Sequence, residues 1–314
     1  MAKRLIIVVP CYNEEEVVPA AAETLCGVLT ELSELGLVDG SSSRVCFVDD
    51  GSRDNTWDRI EDQAARRNQV GGIRLSRNFG QQNALLAGLF EWEADIFITV
   101  DADLQDDVSC IREMVELHLD GCEIVYGVRR DRSSDSRFKR LSAQAFYRIM
   151  EVLGAEVVYN HADFRLMGRR AVEHLKEFRE VNLFLRGLVP LVGFRSGRVT
   201  YDRSPRIAGH TKYPFSKMFA FAWEAITSFS IVPLRIITYL GFVIFFISIL
   251  LSVWALGVKL LTDSAVPGWA STVLPIYLIG GIQLLATGIV GEYIGKIYLE
   301  TKSRPRFIVD KRVE

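Results

Sequence analysis

Two aspartates spaced two residues apart carry the clearest chemical signal in the sequence. Asp101 and Asp103 follow residues 94–98, whose apolar and β-branched composition predicts a buried strand. Ligands of open α/β sheets bind beyond the carboxyl ends of the strands, so both carboxylates are expected at one such edge. Oxygen ligands of this kind suit Mg²⁺ or Mn²⁺, which share their remaining positions with substrate phosphates. Alternatively, Asp106 or Asp107 caps the helix that follows, and both interpretations can hold together.

The first half of the chain alternates between predicted strands and predicted helices. Its strands are predicted at 5–9, 45–48, 73–75, 94–98 and 123–127, and its helices at 14–35, 56–67 and 84–92. This alternation with short connections predicts βαβ units in an α/β domain with a mostly parallel sheet. No glycine-rich phosphate-binding loop follows the first strand. A nucleotide bound by this domain would therefore be held by carboxylates and a metal ion.

The composition excludes some classes of protein. The chain has 314 residues and a net charge of −2, without the dominant basic face that a nucleic-acid partner would require. Its five cysteines all lie at or before Cys122, with no spacing typical of zinc sites. They predict reduced thiols in a cytosolic domain and not a disulfide framework.

Two further segments hold charged residues that suit either chemistry or structure. Residues 129–140 are rich in arginine and lysine, which is typical of a solvated loop or of a site for an anion or lipid headgroup. Asp163 and Arg165 interrupt an apolar stretch, as a buried structural pair or a catalytic pair would. Residues 197–203 predict another strand, and Lys212 lies in a basic loop that contains glycine.

Two long apolar segments close the chain. Residues 236–258 and 270–291 carry no charge and are long enough to span a bilayer as two helices. Basic residues flank the outer ends of this predicted hairpin, so the positive-inside rule places both termini in the cytoplasm. Residues 213–232 have apolar side chains at helical spacing, which fits a helix in the membrane interface or one packed on the soluble domain.

The order of these motifs resembles the polyprenyl-phosphate glycosyltransferases of glycosyltransferase family 2. That group includes the dolichol-phosphate mannose synthases and the bacterial GtrB-type and ArnC-type enzymes. The motifs occupy residues 10–14, 49–54, 77–80, 101–105 and 163–167, followed by 291–296 and 304–306 near the end of the chain. The resemblance implies a GT-A domain at 1–212, an interfacial helix at 213–232, two transmembrane helices within 233–298 and a cytoplasmic tail at 299–314.

The resemblance also implies roles for individual residues. Asp163, Arg165 and Asp101 would be catalytic, and Asp103 and Gln105 would hold the metal ion. The nucleotide sugar would contact a larger set, namely Pro10, Tyr12, Asn13, Glu14, Asp49, Asp50, Arg77 and Asp101. The phosphate of the lipid acceptor would bind to basic residues, for which the candidates are Arg129, Arg132, Lys139 and Lys212.

The implied reaction is an inverting, metal-dependent transfer of a sugar to a polyprenyl phosphate at the cytoplasmic face of the plasma membrane. Glucose from UDP-glucose is the expected donor, because residues 163–167 and the two-span tail look most like the GtrB-type branch. UDP-N-acetylhexosamines, UDP-4-amino-4-deoxyarabinose derivatives and GDP-mannose stay open as donors. Undecaprenyl and dolichyl phosphate both stay open as acceptors. The resemblance further implies a homo-oligomer that uses Mg²⁺ or Mn²⁺.

Three other functions compete with this interpretation. A processive polysaccharide synthase would carry a Gln-x-x-Arg-Trp motif, and no tryptophan here follows an arginine. A catalytically silent nucleotide-sugar binder, or a scaffold of a flippase complex, would be free to lose the Asp101–Gln105 and Asp163–Arg165 sets, which are complete. A channel or transporter conflicts with spans that carry no charge.

Overall fold

The computed structural model describes residues 3–130, 161–180, 185–202, 232–261 and 269–314. The strands are β1 Leu5–Cys11, β2 Arg44–Asp49, β3 Val70–Leu75, β4 Ile96–Thr99, β5 Ile124–Arg129, β6 His161–Gly168, β7 Ser196–Tyr201 and β8 Val309–Val313. The helices are α1 Val18–Glu34, α2 Thr56–Arg66, α3 Gln81–Phe90, α4 Ile111–Leu119, α5 Arg169–Glu177, α6 Leu185–Leu191, α7 Val232–Leu261 and α8 Trp269–Thr301. The described strands form one eight-stranded sheet in the order β7-β5-β6-β4-β1-β2-β3-β8.

The centre of the sheet is parallel and covered by helices on both faces. Strand β1 pairs in parallel with β2 and β4, and β2 pairs in parallel with β3. Every residue of β1 is buried, as expected for a strand between two helical layers. One apolar cluster joins the sheet to α1, α2 and α4, and a second joins its other face to α3, α5 and α6. The predicted GT-A-like, mostly parallel α/β sheet is confirmed.

Each predicted element of this half overlaps an observed one. The main difference is the start of α1, which was expected at Glu14 and begins at Val18. Residues 14–17 instead form a turn, in which the N–H groups of Val17 and Val18 both donate to the carbonyl of Glu14. Pro19 in the first turn of α1 suits this position, because proline has no N–H to leave unpaired there.

Strand β6 runs against its neighbours and was not predicted. It lies between β4 and β5 and pairs antiparallel with both. Phe164 and Leu166 belong to one apolar cluster and Met167 to the other, so β6 is buried on both faces. The sequence did not predict this strand, because the charged Asp163 and Arg165 interrupt the apolar run that is typical of a buried strand.

The last strand, β8, returns to the sheet after the long helices. It pairs antiparallel with the edge strand β3 and covers it. The guanidinium of Arg312 lies 4.6 Å from the ring centroid of Trp92, and its Nη1 donates to the carbonyl of Glu91 at 3.0 Å. The sequence predicted only a tail here, whereas the structure makes residues 309–313 part of the domain.

The helices α7 and α8 contain 30 and 33 residues, or about 45 and 50 Å at 1.5 Å per residue. Large apolar side chains along both are exposed. Among the described residues, one helical stretch, Leu278–Thr301, is long and apolar enough to cross a membrane, and Leu234–Ile244 is a shorter apolar stretch. Residues 213–231 of the predicted interfacial helix lie outside the described residues.

Candidate active site

The candidate site lies at the carboxyl ends of β1, β2 and β4, where parallel neighbours end at one edge of the sheet. Strand β6 enters this edge from the opposite direction. Its register pairs Thr99 with Arg165, which brings Asp163 beside the residues that follow β4. The Thr99 hydroxyl donates to the carbonyl of Asp163 and fixes this junction. The two predicted clusters around Asp101 and Asp163 are therefore brought together.

The loop after β4 gathers acidic side chains. Leu104 has a φ of 46°, a left-handed conformation that is uncommon for a leucine and turns the chain between Asp103 and Gln105. Burial and then the charges of Asp163, Asp106 and Asp103 raise the pKa of Asp101 to about 7. Gln81 Nε2 donates to Asp101 Oδ1 at 2.9 Å from the start of α3. Four carboxyl groups thus share one region.

A cation would relieve this repulsion, and Asp101, Asp103 and Gln105 offer the oxygen donors that Mg²⁺ and Mn²⁺ prefer. Within the part of the chain that the structure describes, no group of three or more His, Cys, Asp and Glu side chains is placed to hold a metal by itself. Two carboxylates and an amide fit an ion that completes its shell with water and substrate phosphate, as Mg²⁺ usually does.

Asp163 is held between two arginines. Arg165 Nη2 lies 2.6 Å from Asp163 Oδ1, and Arg186 Nη2 lies 3.0 Å from Oδ2. Arg165 is fully buried and its Nη1 also donates to the carbonyl of Leu185 at 3.3 Å. Burial lowers the pKa of Arg165, and the charge of Asp163 opposes this shift. Sequence reasoning placed Asp163 and Arg165 here, but it missed Arg186.

A third arginine, Arg129, is held by a second buried carboxylate. Arg129, at the end of β5, approaches Asp106 with an Nη2–Oδ1 distance of 3.4 Å. Tyr201, the last residue of β7, donates its hydroxyl to the same oxygen at 2.5 Å. Asp107, not Asp106, caps the short helical turn that precedes α4. Of the predicted acceptor-phosphate residues, Arg129 is thus at this edge, while Arg132, Lys139 and Lys212 lie outside the described residues.

The loops after β1 and β2 are tied together by hydrogen bonds. The Asn13 N–H donates to Ser52 Oγ at 2.9 Å, and the Glu14 N–H donates to Thr56 Oγ1 at 2.8 Å. Asn13 has a φ of 56°, a left-handed conformation that asparagine tolerates better than most residues. These bonds join the first two predicted nucleotide-binding motifs into one wall of the site.

Asp49 and Asp50, at the end of β2, are both buried. Asp50 accepts the N–H groups of Phe79 and Gly80 at 2.7 and 2.8 Å, so it fixes the start of α3. Asp49 accepts the Ser52 N–H at 2.9 Å and forms an ion pair with Arg74 at 3.6 Å. Burial raises the pKa of both carboxyl groups. In this structure Asp50 positions the loop that carries Arg77 and Phe79.

Three other predicted nucleotide-binding residues differ in exposure. Pro10 is buried in β1, and Tyr12 is 41% exposed just beyond it. Arg77 is exposed, with its guanidinium 4.0 Å from the ring centroid of Phe79. The ring of Tyr12 and the charge of Arg77 are therefore available to a ligand at this edge, whereas Pro10 shapes the strand end.

Comparison with known proteins indicates a glycosyltransferase, as the sequence motifs do, over nearly the whole chain. Residues 6–176 match the family described as Glycosyl transferase family 2. An uncharacterized glycosyltransferase of Bacillus subtilis, YkoT, is 50% identical over 308 residues, which cover 98% of this chain and 91% of the relative. The bactoprenol glucosyl transferase of Shigella phage SfX is 38% identical over 310 residues, covering 98% of this chain and 99% of the relative. The prophage homologue of that enzyme in Escherichia coli K12 is also 38% identical, over 99% of both chains. The chain is a glycosyltransferase and belongs to glycosyltransferase family 2.

Proposed function

We propose that this enzyme transfers a sugar, glucose from UDP-glucose as the first choice, to a polyprenyl phosphate. The observation that carries the proposal is the end-to-end similarity to bactoprenol glucosyl transferases, which extends through the long helices as well as the sheet domain. The meeting of the Asp101 and Asp163 clusters at one sheet edge supports it, because a transferase must bring donor and acceptor together. The product would be a polyprenyl-phosphate-linked monosaccharide.

The donor would lie across the ends of β1, β2 and β4. The exposed ring of Tyr12 suits stacking on the nucleobase, and Arg77 suits a phosphate. Asp103 and Gln105, with Asp101 nearby, would hold a divalent cation against the diphosphate of the donor. When bound, such an ion supplies positive charge that stabilises the departing nucleoside diphosphate.

In the transfer step, an oxygen of the acceptor phosphate forms a bond to the anomeric carbon of the sugar. The bond from that carbon to the donor diphosphate breaks, and the nucleoside diphosphate leaves from the opposite face, so the configuration inverts. A phosphate with a second pKa near 6 is already ionised at neutral pH and has little need of a base. Because two arginines surround Asp163, its proposed role is to orient groups in the site and not to remove a proton.

The sheet domain and the long helices together support a hairpin that crosses the membrane twice. Strands β7 and β8 belong to the same sheet, so the chain between them must leave and return on one side of any membrane. The number of crossings is therefore even. If α8 spans the membrane, α7 is the proposed second span, with the sheet domain and both termini in the cytoplasm. Exposed apolar faces on both helices leave room for contacts between copies in a homo-oligomer.

A donor screen tests this proposal. The full chain in nanodiscs with undecaprenyl phosphate and Mg²⁺ or Mn²⁺ would be offered UDP-sugars and GDP-sugars in turn, with and without a chelator. We expect lipid-linked sugar and free nucleotide from one donor, only when the metal is present. Binding of a nucleotide sugar without transfer to any lipid phosphate would instead identify a silent binder or a scaffold. Asp263→Cys and Lys311→Cys, each made in a variant without the five native cysteines, test the hairpin. A thiol reagent that cannot cross the membrane, added outside the cell, should label position 263 and leave position 311 unlabelled.

A further inference from the structure

Two arginines of the site share one arrangement. Each is partly exposed and forms an ion pair with a carboxylate that is more deeply buried. The Arg129 side chain is 24% exposed and that of Asp106 is 2% exposed, whereas the values for Arg186 and Asp163 are 32% and 11%. In both pairs the guanidinium is therefore the partner that a ligand can reach from solvent.

Each of the two carboxylates also accepts a hydrogen bond from a buried side chain. Asp106 accepts the hydroxyl of Tyr201 at 2.5 Å, and Asp163 accepts Nη2 of Arg165 at 2.6 Å. Tyr201 and Arg165 are both buried, so neither carboxylate can follow its arginine into solvent. A guanidinium held in this way loses little side-chain entropy when a ligand binds, and its fork matches the oxygens of a phosphate.

The sheet register brings the two arginine pairs close together. Val128, the neighbour of Arg129, is paired with His161 of β6, two residues before the Asp163 that binds Arg186. The charge of Arg186 also acts on the pKa values of both Arg129 and Asp101. Two like charges held near each other repel, and an anion placed between them relieves this repulsion. An anion with several oxygens gains hydrogen bonds from both forks, each strengthened by charge.

We propose that Arg186 and Arg129 together bind one phosphate group of a substrate, with Asp163 and Asp106 as their positioning residues. This phosphate clamp, defined as Arg129 and Arg186, rests on the proposed function, because that reaction brings two kinds of phosphate to the site. One is the phosphate of the lipid acceptor and the other is the diphosphate of the donor. The clamp adds Arg186 to the site and gives Asp163 a role that does not require it to act as a base.

The test uses the full chain in nanodiscs and four substituted forms, Arg186→Gln, Arg186→Lys, Arg129→Gln and the double Gln variant. Arg112→Gln is the matched control, because Arg112 forms an exposed ion pair with Glu116 on the surface of α4. The KM for undecaprenyl phosphate, the KM for the nucleotide sugar and kcat would be measured for each. The thermal midpoint of each variant identifies any that fail to fold.

We expect Arg186→Gln to raise the KM for one substrate by about 10- to 100-fold, the loss typical of a charge-assisted hydrogen bond. Lysine at this position restores part of the loss, because it keeps the charge and lacks the fork. The double variant loses less than the product of the two single losses, since both arginines contact one group. A rise in the KM for the lipid identifies the acceptor phosphate, and a rise for the nucleotide sugar identifies the donor diphosphate.

The proposal is overturned if Arg186→Gln changes both KM values by less than about 2-fold, as the control does, or if the two losses simply multiply. Binding of inorganic phosphate and of UDP, measured by calorimetry, needs no turnover. A wild-type protein that transfers no sugar would refute the proposed function alone. The clamp would then stand only if one of these two probes binds more weakly to Arg186→Gln than to Arg112→Gln.

Discussion

Replacing Arg165 by methionine tests whether the buried ion pair with Asp163 holds the site together. Arg165 is 1% exposed, and its two terminal nitrogens contact Asp163 and the carbonyl of Leu185. Methionine has a similar length but no charge and no donor. The substitution therefore leaves Asp163 with one arginine, Arg186, which is partly exposed, and removes a link between β6 and α6.

The expected loss of stability follows from the cost of removing the more deeply buried of the two partners of Asp163. Removing one member of a buried ion pair costs about 3–5 kcal/mol. One kcal/mol shifts the thermal midpoint of a domain of this size class by about 2–4 °C, so we expect a decrease of roughly 6–20 °C.

The assay is thermal unfolding of the full chain in nanodiscs, followed by tryptophan fluorescence. Arg112→Met is the control, because its ion pair with Glu116 is exposed and exposed pairs contribute little. Its midpoint should match that of the wild type. A midpoint for Arg165→Met within about 3 °C of the wild type would refute the reasoning, since the pair would then be too weak to organise the site.

Three further predictions concern separate features. Gly51 has a φ of 66°, and a Cβ added there would lie 2.4 Å from the main-chain carbon of Arg77. Gly51→Ala should therefore lower the thermal midpoint. Gly27 on α1 has open space around it, so Gly27→Ala should raise the midpoint slightly. Tyr201→Phe removes a hydrogen bond from the buried Asp106 and should cost about 1–3 kcal/mol of unfolding free energy, measured from the same melting curves; an unchanged midpoint would mean that water replaces the hydroxyl. The pKa of Asp101 is raised from 3.8 to about 7, so the folded chain holds this proton more tightly than the unfolded chain. Its contribution to the stability of the metal-free protein is therefore complete below pH 4 and is lost as the pH rises through 7, and Asp101→Asn should remove that part of the pH dependence of the midpoint.

The sequence predicted the parallel part of the fold because most strands there are apolar runs bounded by polar residues. Strand β1 shows this best, since its boundaries extend the predicted 5–9 only to Cys11. Strand β6 could not be predicted in the same way, because its charged residues are buried through contacts with Leu185 and Arg186, which the local pattern does not contain. Strand β8 is short and mostly polar on its exposed side, so only its pairing with β3 identifies it.

The candidate site combines residues that the sequence motifs singled out with residues from distant segments. Asp101, Asp103 and Asp163 were singled out by their motifs, whereas Arg186 and Tyr201 contact the candidate site from α6 and β7 and were not. A signal for Arg186 did exist, since it is the one charged residue in the apolar stretch 183–192. A lone arginine in such a stretch needs a partner, and the sequence could not say that the partner is Asp163.

The most direct measurement of the central claim is sugar transfer by Asp163→Asn. Asparagine keeps the size of the side chain and removes the charge that holds Arg186 and Arg165. Binding of the nucleotide sugar and transfer to undecaprenyl phosphate would be measured on the same sample in nanodiscs. The account predicts that the variant still binds the nucleotide sugar and loses transfer. Turnover close to that of the wild type would contradict the assignment of this site to the reaction.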